Sequence, residues 1–224
     1  MTETQGHVAK GFEKVADAFS ANFADYPELG AGFALYADGK LQVDLWGGIA
    51  DKTSGKAWDE QTLQLVFSTT KGAAAICVAR LVEAGKLEYS DPVSMHWPEF
   101  AANGKRDITV AQVMSHQAGL AWAEAPLTID EILAVGPVVE ALADQAPLWE
   151  PGSTHGYHAV TYGWLAGELV RRIDGRSIGR YFADEVAGPL GLDFWIGLPE
   201  AEEARVSRLE PSPPPSDPAE LLLL

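Results

Sequence analysis

Cysteine, asparagine, basic residues and long apolar runs are all scarce in this sequence. Its one cysteine, Cys77, lies in the apolar stretch AAAICVARL. That excludes a disulfide within the chain and a cysteine-rich metal site, and its surroundings read as those of a small buried residue. No stretch approaches the roughly 20 apolar residues that span a bilayer. The first residues, MTETQGHVAKGF, lack an apolar signal core, so the expected location is the cytoplasm. Lysine and arginine number 16 against 32 acids, a formal charge of −16. Such a surface repels phosphate backbones and anionic lipid, so neither a nucleic-acid nor a membrane partner is expected. There is no G-x-S-x-G elbow, which argues against an α/β-hydrolase, and no phosphate-binding glycine loop.

What is present is an apolar pattern sufficient for one sizeable core or two modest ones: 47% of the 224 residues are hydrophobic and 21% are charged. Val8, Phe12, Val15, Phe19 and Phe23 recur at helical spacing, predicting an amphipathic helix over 8–25. GFALYA, Asp38-Gly39 and LQVDLWGG read as a two-residue hairpin with Leu41, Val43 and Leu45 on one face. A strand-like LQLVF leads into a helix opening at Ser68 and ending at Gly85. From 86 to 190 the pattern is helical, with Thr109 as an N-cap and further helices over 128–145, 161–173 and 177–187. A short strand, FWIGL, is predicted at 194–198, and the proline-rich PSPPPSDPAELLLL is expected to be extended and disordered.

Ser68 and Lys71 form the chain's one S-x-x-K. A three-residue offset puts both on one helical face. The unpaired N–H groups and positive dipole end of the helix favour an alkoxide at Ser68. The same end disfavours an ammonium at Lys71, but only by about 1 kcal/mol. A working base there requires a second polar residue brought in by the fold. Alone, the motif reads first as a helix cap.

The stretches VFSTTKG (66–72), ITVAQVMSHQAGL (108–120) and PLWEPGSTHGYHAVTYGWLAGELV (147–170) decide between those alternatives, with the early WGG (46–48) and GPLGLDFWIGLP (188–199) around them. Jointly they resemble the serine β-lactamase/penicillin-binding-protein-like hydrolases, and most nearly the class C-related carboxylesterases of family VIII. The resemblance implies an α+β fold: an antiparallel sheet flanked by helices, plus an all-helical region. The implied organisation is 1–66 (helix and hairpin), 67–193 (helical, carrying the motifs), 194–210 (strand and connection) and 211–224 (tail). It also implies Ser68 as nucleophile, with Lys71 and Tyr157 as the acid/base pair.

Two departures bear on substrate and completeness. Ala159 stands where the resembling β-lactamases place asparagine, and the chain's two asparagines, Asn22 and Asn103, lie elsewhere. Without that amide, simple short-chain carboxylic esters are the expected substrates. An amide, β-lactam or acyl-transfer activity is the alternative on the same acyl-enzyme. No later strand carries K-T-G, H-x-G or a second W-G-G. The C-terminal sheet strands of the resembling fold are therefore expected to be missing, and with them one oxyanion donor. This implies a portion of a longer hydrolase, a homo-oligomer or complementing segment that supplies the rest, or an inactive scaffold. Trp122, Trp149, His155 and His158 are candidates to line the substrate pocket, with Trp97 a weaker one. His116 is read as a helix-end or packing residue. The histidines at 116, 155 and 158 do not form a persuasive zinc set, and no metal or cofactor is expected.

Overall fold

A computed structural model describes residues 3–211. The tail expected at 211–224 lies, apart from Pro211, outside the described residues. The chain forms two compact units, one of residues 3–65 joined by the segment from Pro199, the other Val66–Leu198.

The first unit is an antiparallel sheet with one helix: β1 (Thr4–Val8), α1 (Glu13–Asp25), β2 (Gly30–Ala37), β3 (Lys40–Asp51) and β4 (Lys56–Ala57). The central strand β3 pairs with β1 on one side and β2 on the other, and β4 pairs with its far end. Asp38 and Gly39 have φ of 50° and 71°, the left-handed pair of a primed hairpin turn whose twist suits its strands. Val43 and Leu45 are buried with Phe19, and Phe12, Val15 and Phe23 pack around them, so helical and alternating periodicities meet in one small core. Gly48 has a steric reason: at φ 88°, a Cβ there would stand 2.1 Å from the Leu29 carbonyl oxygen.

Three sequence expectations need correction here. The helix starts at Glu13 instead of residue 8, because Thr4–Val8 pairs with β3 from Gly47 back to Val43. Gly6, at φ 120° and without room for a Cβ against Asp44, makes that polar segment fit a strand. LQLVF contributes a single bridge, Leu63 to Val206; residues 64–66 are irregular and Phe67 opens a 3₁₀ turn. Residues 194–198 form no strand, and Gly197 turns the chain at φ 88°. Beyond them the chain returns to the sheet unit, where Ser207 N–H donates to the Leu63 carbonyl and Arg208 N–H to that of Ala50.

The second unit is helical: α2 (Thr70–Glu83), α3 (Val93–His96), α4 (Val110–Met114), α5 (Ile129–Leu133), α6 (Gly136–Asp144), α7 (Thr161–Asp174), α8 (Ile178–Phe182) and α9 (Gly188–Leu190), with a π-helical turn at Ala183–Ala187. Helices α2 and α7 contribute Ala73, Ala74, Cys77, Val78, Leu81, Leu165, Ala166 and Leu169 to one buried core. Burial raises the Cys77 thiol to about 11, so it stays protonated and inert. Thr109 caps α4 through a reciprocal box with Gln112, worth about 1 kcal/mol. Gly175 closes α7 at φ 90°. The helix expected over 128–145 is two, broken at Val135, whose φ is 66°. Near the end of α7 the buried Glu168 carboxylate accepts from Arg171 and Arg172, and Arg172 also reaches Glu99.

Candidate active site

Phe67, Ser68 and Thr69 form a 3₁₀ turn that runs directly into α2. In 3₁₀ geometry residues three apart eclipse, so the S-x-x-K spacing brings its side chains together even though Ser68 precedes the α-helix proper. Phe67 holds φ at 43°, a left-handed conformation costing about 1–2 kcal/mol for a residue with a Cβ. The strained turn sits immediately before Ser68, which is exposed.

The Lys71 amine donates to Ser68 Oγ at 2.9 Å and to the Ala159 carbonyl oxygen at 2.6 Å. The Tyr157 hydroxyl donates to Ser68 Oγ at 2.6 Å. Lys71 Nζ also lies 4.9 Å from the Tyr157 ring centroid. Three residues from two segments 89 positions apart thus meet at one oxygen. The hydrogen bond with Ser68, and then that with Lys71, hold the Tyr157 phenol below its ordinary value of 10.0. An ionised Tyr157 accepts from the Ser68 hydroxyl and gains from the amine beside it, so its anion is favoured. The backbone N–H of Ser68 lies in the leading turn of the helix, where N–H groups lack an intrahelical acceptor.

A cavity of about 290 Å³ opens beside this group, lined by apolar side chains including Phe67, Ala74, Val160, Ile178 and Ile196. None of the four expected pocket residues lines it. Trp122 lines a separate apolar cavity with Trp164 and Leu127. His155 is exposed. Trp149 packs behind the tyrosine: a Cβ on Gly156 would stand 2.6 Å from its Cη2, and its ring meets His158 edge-on. His158 is fully buried, with Nε2 accepting from Leu120 N–H at 3.0 Å and Nδ1 bonded to the Gly156 carbonyl at 2.6 Å. Trp97 is a core residue. Tryptophan and histidine near a catalytic motif in sequence need not face the cavity, because the residues flanking a projecting side chain turn the other way.

The sequence reading gives His116 a helix-end or packing role and does not join it to Tyr157. Its ring lies 5.1 Å from that of Tyr157 and its Nδ1 accepts from His158 N–H at 3.1 Å. The available signal was the short H-x-x-G step to Gly119, whose φ of 74° turns the loop. Both imidazoles are held below 6.5, His116 chiefly by burial and then by His158, Lys71 and His155, His158 by burial. Protonation therefore costs the folded state more than the unfolded chain. Stability is expected to be undiminished above about pH 7 and to fall as pH drops below 6.5 toward each ring's lower folded value. Urea titrations between about pH 7.5 and 5 check this, and His116→Asn should flatten the slope. A slope unchanged by that substitution contradicts it.

Among the described residues no group of histidine, cysteine or acidic side chains is arranged to hold a metal, and no helix is long and apolar enough to cross a membrane.

The family model described as Beta-lactamase matches residues 15–223. The esterase/beta-lactamase LipL of Mycobacterium tuberculosis is 38% identical over 192 residues, covering 85% of this chain and 44% of that protein. A penicillin-binding-protein homologue from Caulobacter crescentus superposes with a TM-score of 0.88 at 45% identity, over 94% of this chain and 57% of the other. A family VIII carboxylesterase does so with a TM-score of 0.88 at 46% identity, over 92% and 57%. The fold is that of the β-lactamases and transpeptidases. This chain spans about half the length of these relatives.

Proposed function

The chain belongs to the beta-lactamase family, and from that premise we propose that it serves a serine carboxylesterase acting through an acyl-enzyme on Ser68. The observation that carries the reading is the convergence of Tyr157 Oη and Lys71 Nζ on Ser68 Oγ, at 2.6 and 2.9 Å. Tyr157, as phenolate, accepts the Ser68 proton while Oγ attacks the ester carbonyl. Lys71 stabilises the phenolate and the alkoxide through its hydrogen bond and charge. The Ser68 N–H, in the leading turn of the helix, is available to the tetrahedral oxyanion. Collapse expels the alcohol, which takes the proton from Tyr157. A water molecule then attacks the acyl group by the same route in reverse, and Ser68 is restored.

Esters are favoured over amides by what surrounds Lys71. The second bond of its amine goes to the backbone carbonyl of Ala159, and that residue offers a methyl group where a side-chain amide would hold a lactam. The cavity beside Ser68 is apolar, suited to an aliphatic acyl chain. The family VIII carboxylesterase structure supports the same substrate class, while LipL is named as both esterase and beta-lactamase. The test compares kcat/KM for p-nitrophenyl butyrate and nitrocefin. A preference for the ester of about 100-fold is expected, the cost of leaving a lactam amide unpaired. Equal or better turnover of nitrocefin contradicts the ester reading while leaving the nucleophile intact.

A further inference from the structure

The tyrosine of the cluster is held from behind by two histidines. Tyr157 is 56% exposed, so packing alone does not fix its hydroxyl. Its neighbours are fixed instead. Gly156 N–H donates to the His116 carbonyl at 3.1 Å and His158 N–H donates to His116 Nδ1 at 3.1 Å, so one residue grips the chain on both sides of Tyr157. His158 returns the grip: its Nε2 accepts from Leu120 N–H at 3.0 Å, and its Nδ1 bonds the Gly156 carbonyl at 2.6 Å. Thr161 Oγ1 donates to the Leu120 carbonyl at 2.6 Å, tying the start of α7 to the same loop.

These partners define the ring protons. His116 Nδ1 and His158 Nε2 both accept from backbone N–H groups, so His116 is protonated on Nε2 and His158 on Nδ1. A proton on either accepting nitrogen would face an N–H and break the grip. The titratable groups facing His116 are His158, His155, Lys71, Tyr157 and Tyr162. With Lys71 nearby, a second positive charge at His116 is disfavoured. Burial raises Tyr162 to about 12, leaving it a neutral wall.

We infer that His116 and His158 are positioning residues: a neutral two-ring clamp that sets where the Tyr157 hydroxyl stands relative to Ser68. The inference rests on the acyl-enzyme reading for its kinetic consequence, but its geometric content stands apart from turnover. A misplacement of about 1 Å in such a group costs up to about 100-fold in rate.

The test compares His116→Gly with His116→Asn. Both tolerate the φ of 63° at this position, but only asparagine offers a side-chain acceptor to His158 N–H. The first readout is the NMR titration of ¹³Cζ-labelled tyrosine, with the Tyr157 resonance assigned by its loss in Tyr157→Phe. In His116→Gly the Tyr157 phenol should titrate closer to the ordinary tyrosine range than in the wild type, and His116→Asn should restore most of the difference. The second readout is labelling by a fluorophosphonate, expected to slow about 10- to 100-fold in the glycine variant with half-saturating concentration unchanged. If His116→Gly lowers the melting temperature but leaves both the titration and the labelling rate as in the wild type, the rings are packing residues and the inference fails. Should that variant not fold, His158→Gln, which keeps an acceptor for Leu120 N–H, is compared with His158→Leu, which does not. Equal titration and rate in those two overturn it as well. A wild-type chain that titrates as expected but is not labelled defeats the proposed function and leaves the clamp standing.

Discussion

Ser68→Ala is expected to reduce ester turnover to the uncatalysed background, a loss on the order of 10⁶-fold if the enzyme works through this hydroxyl. The fold should be almost unaffected. Ser68 is exposed, its side chain caps no helix, and among the described residues its hydroxyl bonds Lys71 and Tyr157. Surface substitutions of this kind shift stability by about 0.5 kcal/mol or less. Steady-state hydrolysis of p-nitrophenyl butyrate and a thermal melt on one sample check both halves. Residual turnover within about tenfold of wild type would move the nucleophile elsewhere.

Tyr157→Phe is expected to slow acylation by about 10²–10⁴-fold, the contribution of a positioned acid or base. Phenylalanine keeps the ring that lies against His116, so the loss isolates the hydroxyl. Lys71→Ala should fall in the same range, through loss of the charge that favours the phenolate and of the bond to Ser68 Oγ. The two groups act on one proton, so their effects should not add. The double variant is expected to lose about as much as the worse single variant. Single-turnover acylation rates distinguish these cases. Full additivity would mean that amine and phenol act in separate steps, and an unchanged rate in either single variant would remove that residue from the mechanism.

The two halves of the cluster were legible in the sequence to different degrees. Ser68 and Lys71 are three residues apart, and local helical geometry brings them together whatever the rest of the chain does. Tyr157 is 89 positions from Ser68, and nothing in local periodicity links the two. It was placed by the resemblance carried in WEPGSTHGYH. His116 reads in the sequence as a helix-end or packing residue, because its partner is a backbone N–H 42 residues away and local pattern does not reveal it.

The fold shows the same division between local and distant causes. Asp38-Gly39, Thr109 and Gly175 each fix a turn or an end by local chemistry, and each is readable in the sequence. β1 was not, because its Val8 is in phase with Phe12 and Val15 while its strand character comes from pairing with β3. The return of Val206–Arg208 to Leu63 and Ala50 is likewise a long-range pairing with no local signature. The apolar FWIGL looked like a strand, but Phe194 and Ile196 pack against the helical core instead.

The acyl-enzyme claim is met most directly by the intact mass of the folded chain after exposure to a fluorophosphonate, with peptide mapping of the modified residue. One adduct per chain, carried by Ser68 and lost in Ser68→Ala, is the expected result. A folded sample that takes up no label, or takes it up on another residue, would contradict the account.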